Sequence, residues 1–276
     1  IVSKSGNTLE TITNTNILVK KNHKNIFITQ NKKSYLMSLA KKLKAEVINH
    51  NDFIGGRYSV FSEVGMLPAE LMGLNPKKFK QFSVLVKNRN FMKSLILNVS
   101  NIHEFIKKQK YNSIILNYDK NSSDLFGWYQ QLIAESLGKK GKGLLPIISN
   151  MPKDNHSLMQ YYLDGNKNNF FTFFFVKNES SDKIINTNIL NSHYYLKNKN
   201  TFKIRESQLL ATQNIFRKKN IPFRSFYLNK RNEKNLGELF TFFILETILL
   251  GKLLNINPYT QPAVELIKKE TKRILL

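Results

Sequence analysis

Short apolar runs rich in Ile, Val and Phe alternate along the chain with longer stretches whose apolar residues recur at helical spacing. A parallel strand needs a long, usually helical crossover to return to the same edge, so this alternation predicts a mainly parallel sheet covered on both faces. Ile1-Val2 reads as the tail of a strand feeding a loop, and residues 25–29 (Asn-Ile-Phe-Ile-Thr) as a strand followed by a helix over 34–44. Past Gly55-Gly56 the spacing predicts helices over 62–73 and 89–110, the second long enough to connect two domains. A second block follows, with a strand over 113–118, a helix over 125–138, a strand over 144–149 and a short helix after His156. Residues 170–176 are the most apolar strand and 223–228 the last one, and helices over 236–254 and 260–275 close the chain. The expected class is α/β, with three-layer αβα units and a C-terminal helical segment. The expected divisions are a first domain over 1–88, a connecting helix over 89–111, a second domain over 112–233 and C-terminal helices over 234–276. Heptads, short-period repeats and extended low-complexity linkers are absent from the sequence.

A chain of 276 residues is long enough for one large or two ordinary domains. Cysteine is absent, which excludes disulfides and thiolate metal sites and makes a reducing cytoplasm the expected compartment. The start carries neither Met nor a basic and apolar leader, and Ile1 sits inside a strand, so an N-terminally truncated chain is expected. The one stretch resembling a membrane span, 236–254, is interrupted by Glu238, Glu246 and Lys252. A charge at the bilayer centre costs roughly 3 kcal/mol, so a buried helix is the better reading. The net charge of +24 raises nucleic acid and acidic membranes as partners. Lysine is nevertheless spread through the whole chain, as at Lys139, Lys140 and Lys142 or Lys197 and Lys199, with no basic stripe and no nucleic-acid motif. Neither nucleic acid nor membrane is therefore expected, and what remains is a positive field that favours anionic substrates.

The candidate chemistry starts at Ser3-Lys4-Ser5-Gly6-Asn7-Thr8-Leu9-Glu10-Thr11, a strand end running into a helix through hydroxyls and one glycine. Gly6 admits close backbone approach, the first amides of the helix point outward, Ser3, Ser5, Thr8 and Thr11 add hydroxyl donors, and Lys4 adds charge. Such a loop holds a phosphate; taken alone it also reads as an ordinary Ser/Thr cap with Glu10 in the first turn. In Ile54-Gly55-Gly56-Arg57-Tyr58-Ser59 an Arg stands behind two glycines, either as a surface Arg after a tight turn or as a fixed cation for an oxyanion. Glu135 lies four residues after Gln131, hence on one helical face, and Gly138 ends that helix. A carboxylate in so apolar a helix is either solvated or a base for proton abstraction from carbon. His156, in Asn155-His156-Ser157, follows a strand and a Pro-containing loop. Gln261 and Lys268 stand seven apart within the last predicted helix and would share a face.

In order, these five stretches resemble the glucose-6-phosphate isomerase family over nearly the whole chain. The match rests on residues 3–11, Gly55-Gly56-Arg57-Tyr58-Ser59, Gln131 to Glu135 with Gly138-Lys139, Asn155-His156-Ser157, and Gln261 with Val264-Glu265-Leu266 and Lys268. The resemblance implies two sugar isomerase (SIS) domains, the first incomplete, and interconversion of glucose 6-phosphate and fructose 6-phosphate through ring opening and a cis-enediolate. It implies that Ser3, Lys4, Ser5, Thr8 and Thr11 bind the phosphate, with Gln261 near it. Arg57 and the Gly56 backbone would steady the enediolate, Glu135 would shuttle the proton between C2 and C1, His156 and Lys268 would serve ring opening, and Gln131 would line the pocket. Hydrogen only moves between neighbouring carbons, so no metal and no redox cofactor is expected. A homodimer is implied, with His156 reaching the neighbouring site. The chain departs from common family patterns at Asn155, Leu137, Pro262-Ala263 and Ile267. Another phosphosugar isomerase of the same fold, or a phosphosugar-binding module without catalysis, is the alternative.

Overall fold

The computed structural model describes residues 1–20, 22–177, 181–184 and 189–276. In the first block, helix α1 (Leu9–Leu18) precedes strand β1 (Ile26–Thr29), helix α2 (Tyr35–Lys42) and strand β2 (Glu46–Asn49). β1 and β2 pair in parallel, Ile26 opposite Glu46, and Val2 bridges Ile28 in parallel on the other side. The strand tail expected at Ile1-Val2 is thus paired. Phe27, Leu36 and Ala40 form the centre of this block, packed by Ile12, Leu39 and Val47. β2 was not anticipated, because only Val47 and Ile48 in Glu-Val-Ile-Asn are apolar and two residues make no period.

A 3-10 turn over Gly56–Phe61 leads into helices α3 (Glu63–Leu71), α4 (Pro76–Phe79) and α5 (Phe82–Leu85), then the long α6 (Arg89–Lys107). The second block runs β3 (Asn112–Asn117), α7 (Ser123–Leu137), β4 (Leu145–Asn150), α8 (Met159–Asp164), β5 (Asn169–Val176), α9 (Thr201–Lys218) and β6 (Phe223–Leu228). Helices α10 (Glu233–Leu253) and α11 (Val264–Leu275) follow. The four strands form one parallel sheet in the order β4-β3-β5-β6, with Ile114 opposite both Ile147 and Phe171. All eight residues of β5 are buried, as a central parallel strand requires. Their alternation sorts them into two layers. Phe170, Phe174 and Val176 face a core built with α6, α7 and α10, while Phe171, Phe173 and Phe175 face one built with α8 and α9. The three-layer α/β class expected from the pattern is the one observed. α9 was not anticipated: only Leu209, Gln213 and Phe216 of its eighteen residues are buried, too sparse a stripe to read through the Lys, Gln and Asn between them.

One correction concerns the last helix, while the buried helix expected over 236–254 is observed. α11 starts at Val264 and not near Thr260, because Gln261 precedes Pro262 and the residue before a proline is pushed out of the α region. α10 is an inner helix of the fold; no helix among the described residues is long and apolar enough to cross a membrane. Its Glu246 is fully buried and meets Arg224 of β6. The rest of that cluster satisfies both groups: Tyr129 Oη donates to Glu246 at 2.8 Å, Asn98 Nδ2 donates to Glu246 at 2.5 Å, and Arg224 donates to Asn98 Oδ1 at 2.8 Å and Thr172 Oγ1 at 2.9 Å. Burial pushes the Tyr129 phenol well above its ordinary value, with the Glu246 charge adding to the shift. Removing one partner of such a pair leaves a buried charge alone, so Glu246→Ala is expected to lower the unfolding free energy by about 3–5 kcal/mol. Urea midpoints read at constant m-value check this.

Candidate active site

The loop from Ser3 to Thr8 is pinned on two sides. The Ser3 amide donates to Ile28 O at 3.1 Å, and the Gln30 amide to Lys4 O at 3.0 Å, fixing the loop to β1. The Leu36 amide donates to Gly6 O at 3.0 Å, and the Tyr35 amide to Asn7 Oδ1 at 2.9 Å, fixing it to the start of α2. Gly6 is required here: its φ is +66°, and a Cβ would sit 2.2 Å from Ser34 Oγ. Beyond the loop, Thr8 caps α1 with its backbone, and its Oγ1 pairs with Ser3 Oγ at 2.8 Å. Ser5 Oγ accepts from the Asn7 amide at 3.2 Å, and Thr11 lies half-buried in the first turn of α1. A pinned loop of hydroxyls at a helix N-terminus is the arrangement that suits an anion.

Lys4 has partners that its place among the hydroxyls did not suggest. Its Nζ donates to Asp52 O and Ile54 O, each at 2.8 Å, so two of its three protons are committed to the loop that precedes Gly55. Burial lowers its pKa, with Asp52 opposing the shift. Lys4 is a tie between the hydroxyl loop and the Gly-Gly-Arg turn.

At that turn Arg57 is 3% exposed and its fork is filled. Nε donates to Ser136 Oγ, Nη1 to Gln261 Oε1 and Nη2 to Pro258 O, each at 2.7 Å. Nη2 also reaches Thr260 O at 3.3 Å, and Nη1 lies 3.3 Å from Glu135 Oε1. Glu135 in turn accepts from Gln131 Nε2 at 3.1 Å, as the shared helical face predicts. The carboxylate is therefore half-buried and not in an apolar setting; it lies between a cation and an amide. Gln261, expected near a phosphate, has its carbonyl committed to Arg57. Gly56 faces open space, with nothing within 4 Å of a built Cβ, and its amide and that of Arg57 head the 3-10 turn whose first bond runs from the Tyr58 amide to Gly55 O at 2.9 Å.

Further residues join this cluster without a signal of their own in the sequence. Tyr58 Oη meets Ser136 Oγ at 3.0 Å and donates to Pro258 O at 3.2 Å, and burial raises its pKa. Trp128 Nε1 donates to Arg57 O at 2.9 Å, and Lys139 Nζ to Asn257 O at 2.6 Å. Burial lowers the Lys139 pKa, the Arg57 charge acts in the same direction, and Glu135 opposes both. Tyr58, Ser136 and Lys139 stand inside the quoted motifs and were within reach; a carbonyl such as Pro258 O leaves no mark in a sequence.

His156 and Lys268 do not join them. Gln130 Nε2 donates to Pro146 O at 2.7 Å, which places the C-terminal half of α7 beside the N-terminal end of β4. His156 follows the other end, past Asn150, so the six residues of β4, about 20 Å long, lie between it and Glu135. Lys268 is exposed on α11, paired with Glu265 at 2.6 Å, and no residue of that helix is buried. The expected shared face with Gln261 is lost because Gln261 lies outside the helix. Among the described residues no group of three His, Asp or Glu could hold a metal.

No family profile matches the chain. The glucose-6-phosphate isomerase of Methanocaldococcus jannaschii is 33% identical over 287 aligned positions, covering 100% of this chain and 71% of that protein. The glucose-6-phosphate isomerase of Mycoplasmopsis pulmonis is 32% identical, over 100% of this chain and 68% of that protein. Among solved structures, a glucose-6-phosphate isomerase from Chlamydia trachomatis superposes with a TM-score of 0.75 at 19% identity, over 99% of this chain and 58% of that one.

The hydroxyl loop yields a direct prediction. Gly6→Ala forces a Cβ into Ser34 at a left-handed backbone position, a strain of about 1–3 kcal/mol. Isothermal titration with inorganic phosphate is expected to show weaker binding in the variant, alongside a lower urea midpoint.

Proposed function

Because the chain belongs to the glucose-6-phosphate isomerase family, we propose that it interconverts glucose 6-phosphate and fructose 6-phosphate as a cytoplasmic homodimer. The observation that carries this reading is the buried Arg57 beside Glu135, open toward Gly56 and tied through Lys4 to the hydroxyl loop. In this reading Ser3, Ser5, Thr8, Thr11 and the first amides of α1 receive the phosphate, and binding at that remote group orients the sugar over Glu135.

The hydrogen beside a sugar carbonyl is only weakly acidic, so its removal needs a positioned base and a stabilised oxyanion together. Glu135 takes the proton from C2 and returns it to C1. Arg57 has its donors already engaged, so it acts as a fixed buried charge rather than as a new hydrogen-bond donor. The amides of Gly56 and Arg57 supply the hydrogen bonds to the developing oxygen charge, where a side chain on residue 56 would intrude. Gln131 holds the free carboxylate oxygen. Ring opening needs a proton delivered to the ring oxygen and one removed from the C1 hydroxyl. His156 of the partner subunit and Lys268, with α11 brought down onto the site, fill those roles; the placement of His156 beyond β4 supports a site shared between two chains.

Glu135→Gln is expected to lower isomerase turnover by about 10²–10⁴ while leaving sugar-phosphate binding nearly unchanged. A coupled assay with fructose 6-phosphate, together with solvent deuterium entry at C2, checks it; wild-type exchange in the variant would remove Glu135 from the role. A shared site makes a second prediction. His156→Ala and Glu135→Gln chains, each inactive, should regain activity on subunit exchange because one site of each mixed dimer carries both native side chains. Mixed dimers that form and stay inactive would mean that the site is not shared in this way.

A further inference from the structure

His50 closes β2 and is 1% exposed, yet it belongs to none of the stretches discussed so far. Its amide donates to Thr29 O at 2.9 Å, next to the anchor of the hydroxyl loop. Nε2 faces Ile54 O at 3.1 Å, and Nδ1 is in direct contact with the Glu63 carboxylate. The ring thus bridges the Ile54 carbonyl and the Glu63 carboxyl group. Glu63 is itself fixed, as the first residue of α3, whose N-terminal dipole favours a carboxylate and whose Ser62 cap accepts from the Val64 amide at 3.2 Å. The Ile54 carbonyl also takes the Lys4 ammonium. One carbonyl thus receives the ammonium of the hydroxyl loop and faces the ring of His50, which Glu63 of α3 meets at its other nitrogen. Two residues later comes Gly56 and then Arg57.

We propose that His50 and Glu63 are positioning residues, which hold the Ile54 carbonyl against Lys4 and so fix the Gly55-Gly56-Arg57 turn relative to the hydroxyl loop. The inference rests on the isomerase reading above and adds to it the pair that sets the spacing between phosphate and oxyanion sites. The ring nitrogens of His50 meet Glu63 on one side and Ile54 O on the other. The effect of the pair falls on geometry at the reacting carbons and not on the grip on the phosphate.

The test is steady-state kinetics on the intact protein carrying this chain, with inorganic phosphate as a competitive probe of the hydroxyl loop alone. Glu63→Ala is expected to lower kcat at least about tenfold, the scale of a small misplacement at a reacting centre. The phosphate inhibition constant should stay within about twofold. Glu63→Gln keeps an acceptor for Nδ1 and should restore kcat to within about threefold of the parent. Adding Lys4→Met to Glu63→Ala should cost less than the sum of the separate losses, because both act on one carbonyl. Unchanged kcat in Glu63→Ala, a rise in the inhibition constant with kcat retained, or additive losses in the double variant would each overturn the proposal. A parent that binds sugar phosphate without isomerising it overturns the function and this inference together, whereas an active parent with indifferent variants overturns this inference alone.

Discussion

Arg57 carries a full positive charge into a place with almost no water, and the surrounding structure is arranged around that fact. An ion cannot be taken from water without replacement partners, and a guanidinium demands them in a fixed planar fork. Here they come from two distant parts of the chain: Ser136 and Glu135 on α7, and Pro258, Thr260 and Gln261 in the turn after α10. Satisfying one side chain therefore fixes the mutual placement of residues 57, 135 and 261. It also settles how Arg57 can act, since a fork with its protons committed offers charge at a fixed point and little else. Lys139 and Tyr58 reinforce the same turn by binding Asn257 O and Pro258 O.

A fork of that kind is only as fixed as the helix it grips. α7 lies on the sheet through Phe126, Tyr129, Leu132 and Ile133, all buried, and Tyr129 reaches into the Arg224–Glu246 cluster that joins α6, α10, β5 and β6. Burial of two opposite charges gains little net stability, but a fully bonded cluster admits one arrangement of its helices. The path from the sheet to Glu135 thus runs through a polar lock in the core, and then along one turn and a half of rigid helix. On the other side, Gly237 lets α10 come so close to Phe79 that a Cβ would lie 2.2 Å from its carbonyl oxygen. The segment between Arg57 and α6 is seated on α10 by that contact.

What could be read from the sequence follows the range of each interaction. The second block was legible because β3, β5 and α7 carry strong periods, and buried parallel strands are apolar throughout. The motifs holding Arg57, Glu135 and Gln131 were legible as local patterns, and their meeting confirms that these stretches lie together. β2 and α9 were missed because their apolar signal is two or three residues deep. The carbonyl partners of Lys4 were illegible for another reason: a lysine in a loop of hydroxyls suggests a phosphate partner, while its bonds here go to two carbonyls some fifty residues away, and carbonyls are the same in every residue. His50 and Glu63 were invisible on the same grounds, thirteen residues apart with no period linking them.

The parallel sheet also sets a limit on what one chain can assemble. In a parallel β-α-β unit the helix returns from the C-terminal edge of one strand to the N-terminal edge of the next, so the end of the helix and the end of the next strand lie at opposite edges. Glu135 belongs to the end of α7 and His156 to the loop after β4, and nothing short of rebuilding the sheet can bring them together within one copy. Asp154 instead orders the His156 loop where it is, accepting from Ser149 Oγ at 3.0 Å, the Asn150 amide at 2.7 Å and Ser157 Oγ at 3.0 Å. The topology that seats α7 on the sheet therefore also keeps Glu135 and the His156 loop at opposite edges of it within one chain.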